Sequence, residues 1–255
     1  MSQNRASMLD RPVAQTFFRY GLPWSAAFLL LSSAGLVDTI FIGRYVGAQA
    51  LAAVNIVSPV FSIFFGMGVM LSVGGTVRSA HHMGRGDLRA ASAVFGRTML
   101  LILLAGLVLA LLSLLFRPLL LALLGTDGDV MRPAHQYLTT ILLFSPVLPA
   151  SYALSQFARV DQHPTLASLG LILSAAVNIF LDYLFIARFG WGVQGAALAT
   201  GLGFSCTLLL FLIHFLSRRA LLRLTLKGCG WREILRASLN GSAESINEIS
   251  VGSII

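Results

Sequence analysis

Two acids, Asp38 and Asp182, fall inside the complete apolar runs of this chain. An ionisable side chain there costs about 2.5 to 3.5 kcal/mol to insert, so it tends to face a bundle interior and serve a bound ion or a proton. Both lie toward a run's end, where capping or snorkelling at the interface is the alternative use. Asn178 precedes Asp182 by four residues, which puts the two on one helical face. Thr200, on the next run, can turn its hydroxyl to the same space. Two carboxylates, an amide oxygen and a hydroxyl form an all-oxygen set suited to a hard cation. The same carboxylates, if dehydrated, can carry protons instead. Enzyme chemistry finds no support: there is no Gly-rich phosphate loop, no zincin motif and no nucleophile context around the Ser and His residues. Cys206 and Cys229 read as two unpaired thiols, and His81 and His82 as solvated members of a basic loop.

The elements that must position these groups follow from composition. Of 255 residues, 56% are hydrophobic and 11% charged, with a mean hydropathy of +0.82. That excludes an ordinary soluble domain, with about 25% charged residues, and a disordered chain. The expected fold is all-α, a polytopic bundle of six complete membrane helices and a partial seventh. The runs cover about 18–42, 51–73, 99–116, 138–157, 167–186 and 196–216, and the last begins near 234. The fourth contains Pro146 and Pro149, tolerated where neighbours satisfy the freed backbone. Fourteen of the eighteen basic residues fall on the amino-terminal side, against Arg44, Arg117, Arg132 and Arg188 on the other. That bias predicts a cytoplasmic amino terminus and explains the net charge of +8 without a nucleic-acid partner. The first twenty residues do not look like a cleavable signal peptide, so the first span itself directs insertion. Trp24 and Trp191 sit at span ends as interfacial anchors.

Self-comparison finds two repeats. Asp38-Thr-Ile-Phe-Ile-Gly-Arg44 and Asp182-Tyr-Leu-Phe-Ile-Ala-Arg188 share their spacing, and each leads into a Gly/Ala-rich stretch. Spans one-two and five-six therefore read as related, parallel hairpins. More weakly, Arg19 set against Arg236 aligns Leu22 with Leu239, Ser25 with Ser242 and Gly35 with Gly252. The chain then divides into a cytoplasmic segment (1–16), a six-helix lobe (17–217), a basic linker (218–233) and the start of a second lobe's first helix (234–255).

Gly21-Leu-Pro23, Asp38 fifteen residues after the proline, Gly43, Gly47, Gly84-Arg-Gly-Asp87, and Asn178-x-x-x-Asp182 with Thr200 together resemble the multidrug and toxic compound extrusion (MATE) family of the MOP superfamily. The resemblance covers the whole chain but about half of a usual member, which has two six-helix lobes. It implies Na⁺- or H⁺-driven antiport of amphipathic, often cationic compounds, with no cofactor beyond the coupling ion. It also implies that Asp38, Asn178, Asp182 and Thr200 are the cation or proton site, that Pro23 is a bending point, and that Glu244 or Glu248 is an acid of the second lobe. Asn55, Tyr137, Tyr152 and Gln156 are candidates for the substrate cavity, because polar tips inside a bundle need partners. Met67 and Met70, with Phe61, Phe64 and Phe65, are adaptable enough to line it or to pack as core. The expected setting is a bacterial cytoplasmic membrane, with the lipid bilayer, a small amphipathic substrate and a missing carboxy-terminal lobe or second half-length chain as partners. The alternatives are a lipid-linked oligosaccharide flippase of the same superfamily, disfavoured because no Arg or Lys lies deep in the spans, and a non-transporting membrane assembly subunit.

Overall fold

The computed structural model describes residues 13–217, 219–227 and 230–254, and every regular element among them is helical. Ten α-helices follow in order: α1 Val13–Phe41, α2 Ala48–Gly84, α3 Leu88–Leu115, α4 Arg117–Leu123, α5 Met131–Leu143, α6 Val147–Val160, α7 Pro164–Asp182, α8 Gly192–Leu216, α9 Trp231–Leu239 and α10 Ser242–Ile254. Five stretches are long and apolar enough to cross a membrane, and the pair 128–143 and 147–160 makes a sixth, bent by 46°. The bend falls where the sequence places Pro146, which precedes α6. Pro149 lies in that helix's first turn, where the missing N–H costs no intrahelical bond.

Helix limits depart from hydropathy limits for a physical reason. The 37 residues of α2 span about 55 Å at 1.5 Å per residue, well beyond the hydrocarbon thickness. Apolar residues are needed only within the bilayer, whereas backbone hydrogen bonds propagate past it. The helix therefore runs on from residue 73 to Gly84, and α3 starts at Leu88 rather than near Met99. The turn between them is Gly84-Arg-Gly-Asp87: Gly86 takes φ +78°, and Asp87 caps α3 by accepting from the Ala90 N–H at 2.9 Å. The terminal run is broken into α9 and α10 at Asn240–Gly241, where Gly241 lies against the Met70 carbonyl of α2. In the weaker repeat Asn240 stands opposite Pro23, yet the backbone of α1 is one uninterrupted helix there, so the two segments differ in shape. The side chains of Pro23, Trp24 and Glu248, together with Cys229 and the first twelve residues, lie outside the described residues.

α1 packs on α7, α7 on α8, and α8 on α5 and α6; α2 packs on α3, α5 and α6 and is flanked by α9 and α10. Two apolar cores result. One, at the end carrying Arg44 and Arg188, gathers Ile42, Val57, Leu138, Ile186 and Ala196. The other, at the Arg-rich end, gathers Phe95, Phe157, Phe211, Phe215 and Leu222. Leu103, Leu104, Leu107 and Leu111 of α3 face outward, as lipid-facing residues do.

The first repeat is a repeat in structure as well. After each aspartate the helix widens into a π-helical turn, Ile42–Val46 in one copy and Tyr183–Arg188 in the other. Ile42 and Ile186, four residues after their aspartates, are buried in the same core. A left-handed glycine then turns the chain into the next helix, Gly47 at φ +117° and Gly192 at φ +57°. L side chains rarely adopt such angles.

Candidate functional site

α1 and α7 bring the two aspartates to one region because each acid precedes its π-helical turn, and the two turns touch. Small residues make room: Ala34 and Gly35, one turn before Asp38, share a cavity wall with it. The cavity holds about 360 Å³ and is also lined by Ser58, Phe61 and Phe65 of α2, Tyr137 of α5, Ser174, Ala175 and Asn178 of α7, and Thr200 and Phe204 of α8. Close approach of α8 to α7 depends on Gly203, where an added Cβ would stand 2.9 Å from the Ser174 carbonyl oxygen. That approach lets the Asn178 amide donate to the Thr200 hydroxyl at 3.3 Å.

Asp182 lies one turn beyond Asn178 and is 0% exposed. Among the described residues, neither of its carboxylate oxygens has a hydrogen-bond partner, and Oδ1 of Asp38 has none either. Asp38 and the Tyr137 hydroxyl share the cavity wall, and the turns that follow the two acids are in contact. Buried polar atoms are paired in nearly all protein interiors, so three orphaned carboxylate oxygens in one place are an unspent ligand set. All the donor atoms around them are oxygens, which suits a proton or a hard alkali cation rather than a soft metal.

Of the residues singled out by sequence, Asp38, Tyr137, Asn178 and Thr200 share the cavity wall, and Asp182 is fully buried one turn beyond Asn178 on α7. Others fall elsewhere. Asn55 is exposed on α2. Tyr152 and Gln156 bond to each other at 2.6 Å, Gln156 accepts from Arg159 at 2.8 Å, and Tyr152 packs edge-on with Phe65 at 5.1 Å between ring centroids, outside the cavity lining. Met67 and Met70 pack against the core at the Arg-rich end, and Glu244 is exposed on α10. Sequence reading passed over Ser174 and Phe204. Ser174, Asn178 and Asp182 form a polar row at spacing four, a helical stripe that was open to view.

Known proteins share the sequence and fold of this chain. The chain is 28% identical over 216 residues to the multidrug export protein MepA of Staphylococcus aureus, a match covering 85% of this chain and 48% of MepA. Among solved structures, the outward-facing conformation of a multidrug resistance MATE family transporter of the MOP superfamily matches at TM-score 0.83 and 27% identity, over 92% of this chain and 52% of that one. The inward-facing conformation matches at TM-score 0.80 and 27% identity, over 87% and 51%. The chain thus spans about half the length of the curated relatives it matches. The MatE family profile matches residues 23–184, more than half of the chain, and the chain belongs to that family.

Proposed function

We propose that this chain forms the amino-terminal lobe of a cation-coupled exporter of amphipathic, often cationic compounds, with Na⁺ or H⁺ taken up by Asp38, Asn178, Asp182 and Thr200. The observation that carries this reading is the Asp182 carboxylate, enclosed in the bundle with both oxygens unpartnered beside the Asn178–Thr200 pair. An uncompensated charge in hydrocarbon is costly, so a proton or cation at this place is bound whenever the site is closed from water. Residues 17–217 are the lobe, 218–233 the cytoplasmic linker and 234–255 the start of a second lobe, in a bacterial cytoplasmic membrane with the amino terminus inside. The basic-residue bias supports that orientation. Phe61, Phe65 and Tyr137 give the same cavity an aromatic side on which an amphipathic cation can rest.

Coupling then needs one lobe to respond to its ion. Near-equal likeness to inward- and outward-facing relatives, at TM-scores of 0.80 and 0.83, supports a lobe that moves largely as a body. An ion preferring one arrangement and a substrate preferring the other would exchange through that difference in affinity.

The test is ion-dependent melting of the purified chain in detergent. A ligand bound only by the folded form raises its stability by mass action. Titrating Na⁺ at fixed pH, and pH without Na⁺, should shift the melting of the wild type by one route or both, and leave Asp182→Asn unmoved. Equal shifts in the two proteins would remove Asp182 from the site.

A further inference from the structure

A second buried carboxylate sits at the opposite, Arg-rich end and is surrounded very differently. Asp161, in the turn between α6 and α7, is 0% exposed. Its Oδ2 is 2.8 Å from Nε2 of His214, near the end of α8, and 3.2 Å from Nδ1 of His163. Its Oδ1 accepts from the backbone N–H groups of Leu221 and Leu222, each at 2.8 Å. The two imidazole rings stand 4.5 Å apart between centroids. Fifty-one positions separate His163 from His214 in the chain, so only the packing of α7 on α8 brings them to one carboxylate.

We propose that Asp161, His163 and His214 form a binding site for one divalent transition-metal ion of borderline softness, best Zn²⁺. Two imidazoles and a carboxylate are a ligand set that Zn²⁺ takes with a water in the fourth position. Bonds of about 2.0–2.1 Å in a tetrahedron put neighbouring donor atoms about 3.3 Å apart. The donor atoms of the three side chains all lie within 4.8 Å of one another. Oδ2 stands 2.8 and 3.2 Å from the two ring nitrogens, so its contacts need shifts of about half an ångström or less, and rotation of the half-exposed His163 ring sets the spacing between the nitrogens. The carboxylate is already oriented from behind, since the two linker N–H groups hold Oδ1 and leave Oδ2 directed at both rings, the outer support that metal ligands characteristically receive.

The turn itself is built at a cost. Gln162, between Asp161 and His163, has φ +67°, the one positive value at a non-glycine among the described residues. Such backbone is uncommon outside glycine and gathers at functional places. Here it folds the His163 ring back so that Nδ1 also reaches the Asp161 carbonyl oxygen at 2.8 Å. Metal entry needs the lone pairs of His163 Nδ1 and His214 Nε2: a proton on either nitrogen of a neutral ring moves by way of water to that ring's other nitrogen, and one from a charged ring is released to solvent. The His163 side chain is 41% exposed and the His214 side chain 11%, so the ion and its water approach from the His163 side. Once bound, the metal joins the α6–α7 turn, the end of α8 and the Leu221–Leu222 stretch, and pins the linker to the bundle.

Zn²⁺ alone is the probe, added to the full chain in detergent after removal of metal by a chelator. Calorimetry should find one tightly bound ion per chain, with a melting temperature that rises on Zn²⁺ addition and falls back with chelator. Co²⁺ in place of Zn²⁺ should give the visible absorption of a tetrahedral nitrogen and oxygen site. His163→Gln and His214→Gln should each weaken Zn²⁺ binding by ~10-fold or more, while the double variant His81→Gln, His82→Gln binds as the wild type does. His163→Gln alters a half-exposed side chain, so it folds and decides the matter even where His214→Gln does not. Binding that is absent, that survives His163→Gln unchanged, or that is lost with His81 and His82 overturns the proposal.

Discussion

Asp182 and Asp161 are both entirely buried, 0% exposed each, and they stand at opposite ends of one bundle with opposite surroundings. Asp182 has no hydrogen-bond partner at either oxygen. Asp161 has two backbone N–H groups on one oxygen and two imidazoles on the other. Burial alone therefore says little about what a carboxylate does; the number of committed lone pairs separates the two. Asp161 is held in place by its own partners before any ion arrives, whereas Asp182 has no such partner among the described residues.

The sharpest way to break this comparison is to remove each acid and measure melting in detergent without added ions. Asp161→Ala leaves two buried or half-buried N–H groups and the His214 ring unpaired, a loss expected to cost about 3–5 kcal/mol. At roughly 2–4 °C per kcal/mol for a chain of this size, the melting temperature should fall by about 10 °C. Asp182→Asn should cost no more than ~1 kcal/mol, since it removes a charge that nothing in the bundle partners. If Asp182→Asn proves the more damaging, the contrast is wrong and Asp182 is structural. Next in size is Gly203→Val, which forces α8 from α7 and should cost about 1–3 kcal/mol by overpacking. It should also abolish the Na⁺- or pH-dependent shift, because Thr200 moves away from Asn178; a retained shift would detach Thr200 from the ion site. The smallest effect is expected of Thr200→Val, about 1 kcal/mol for one hydrogen bond. Its ion response should weaken without vanishing, as read by the ion concentration at half-maximal shift.

Membrane class, span number and the relation of the two hairpins were legible because hydropathy and spacing are one-dimensional signals. The Asp38 and Asp182 motifs could be aligned on paper, and their π-helical turns and shared core follow the same register. Helix ends were not legible, because α2 and α3 run beyond the membrane on backbone hydrogen bonds that hydropathy does not sense. The cavity was half legible. Asn178 and Asp182 announce a polar face, and Ser174 completes it, but whether Tyr137 or Tyr152 enters the cavity depends on the rotation of α5 and α6 about the bend at Pro146. Met67 and Met70 show the same dependence, since a methionine on α2 is cavity or core according to which neighbour it meets.

By itself, the sequence determined that this chain is a membrane bundle with two related hairpins, and that Asp38 and Asp182 lie within it. Those are consequences of local composition, the cost of charge in hydrocarbon and a period that one strand of text can carry. Tertiary structure alone decided which of the buried acids is satisfied. Asp161 meets His214 and the Leu221–Leu222 backbone across more than fifty residues, and Asp182 meets no donor among the described residues. Hydrogen bonding is short-ranged and directional, so a donor and an acceptor distant in the chain pair only when packing has set their distance and angle.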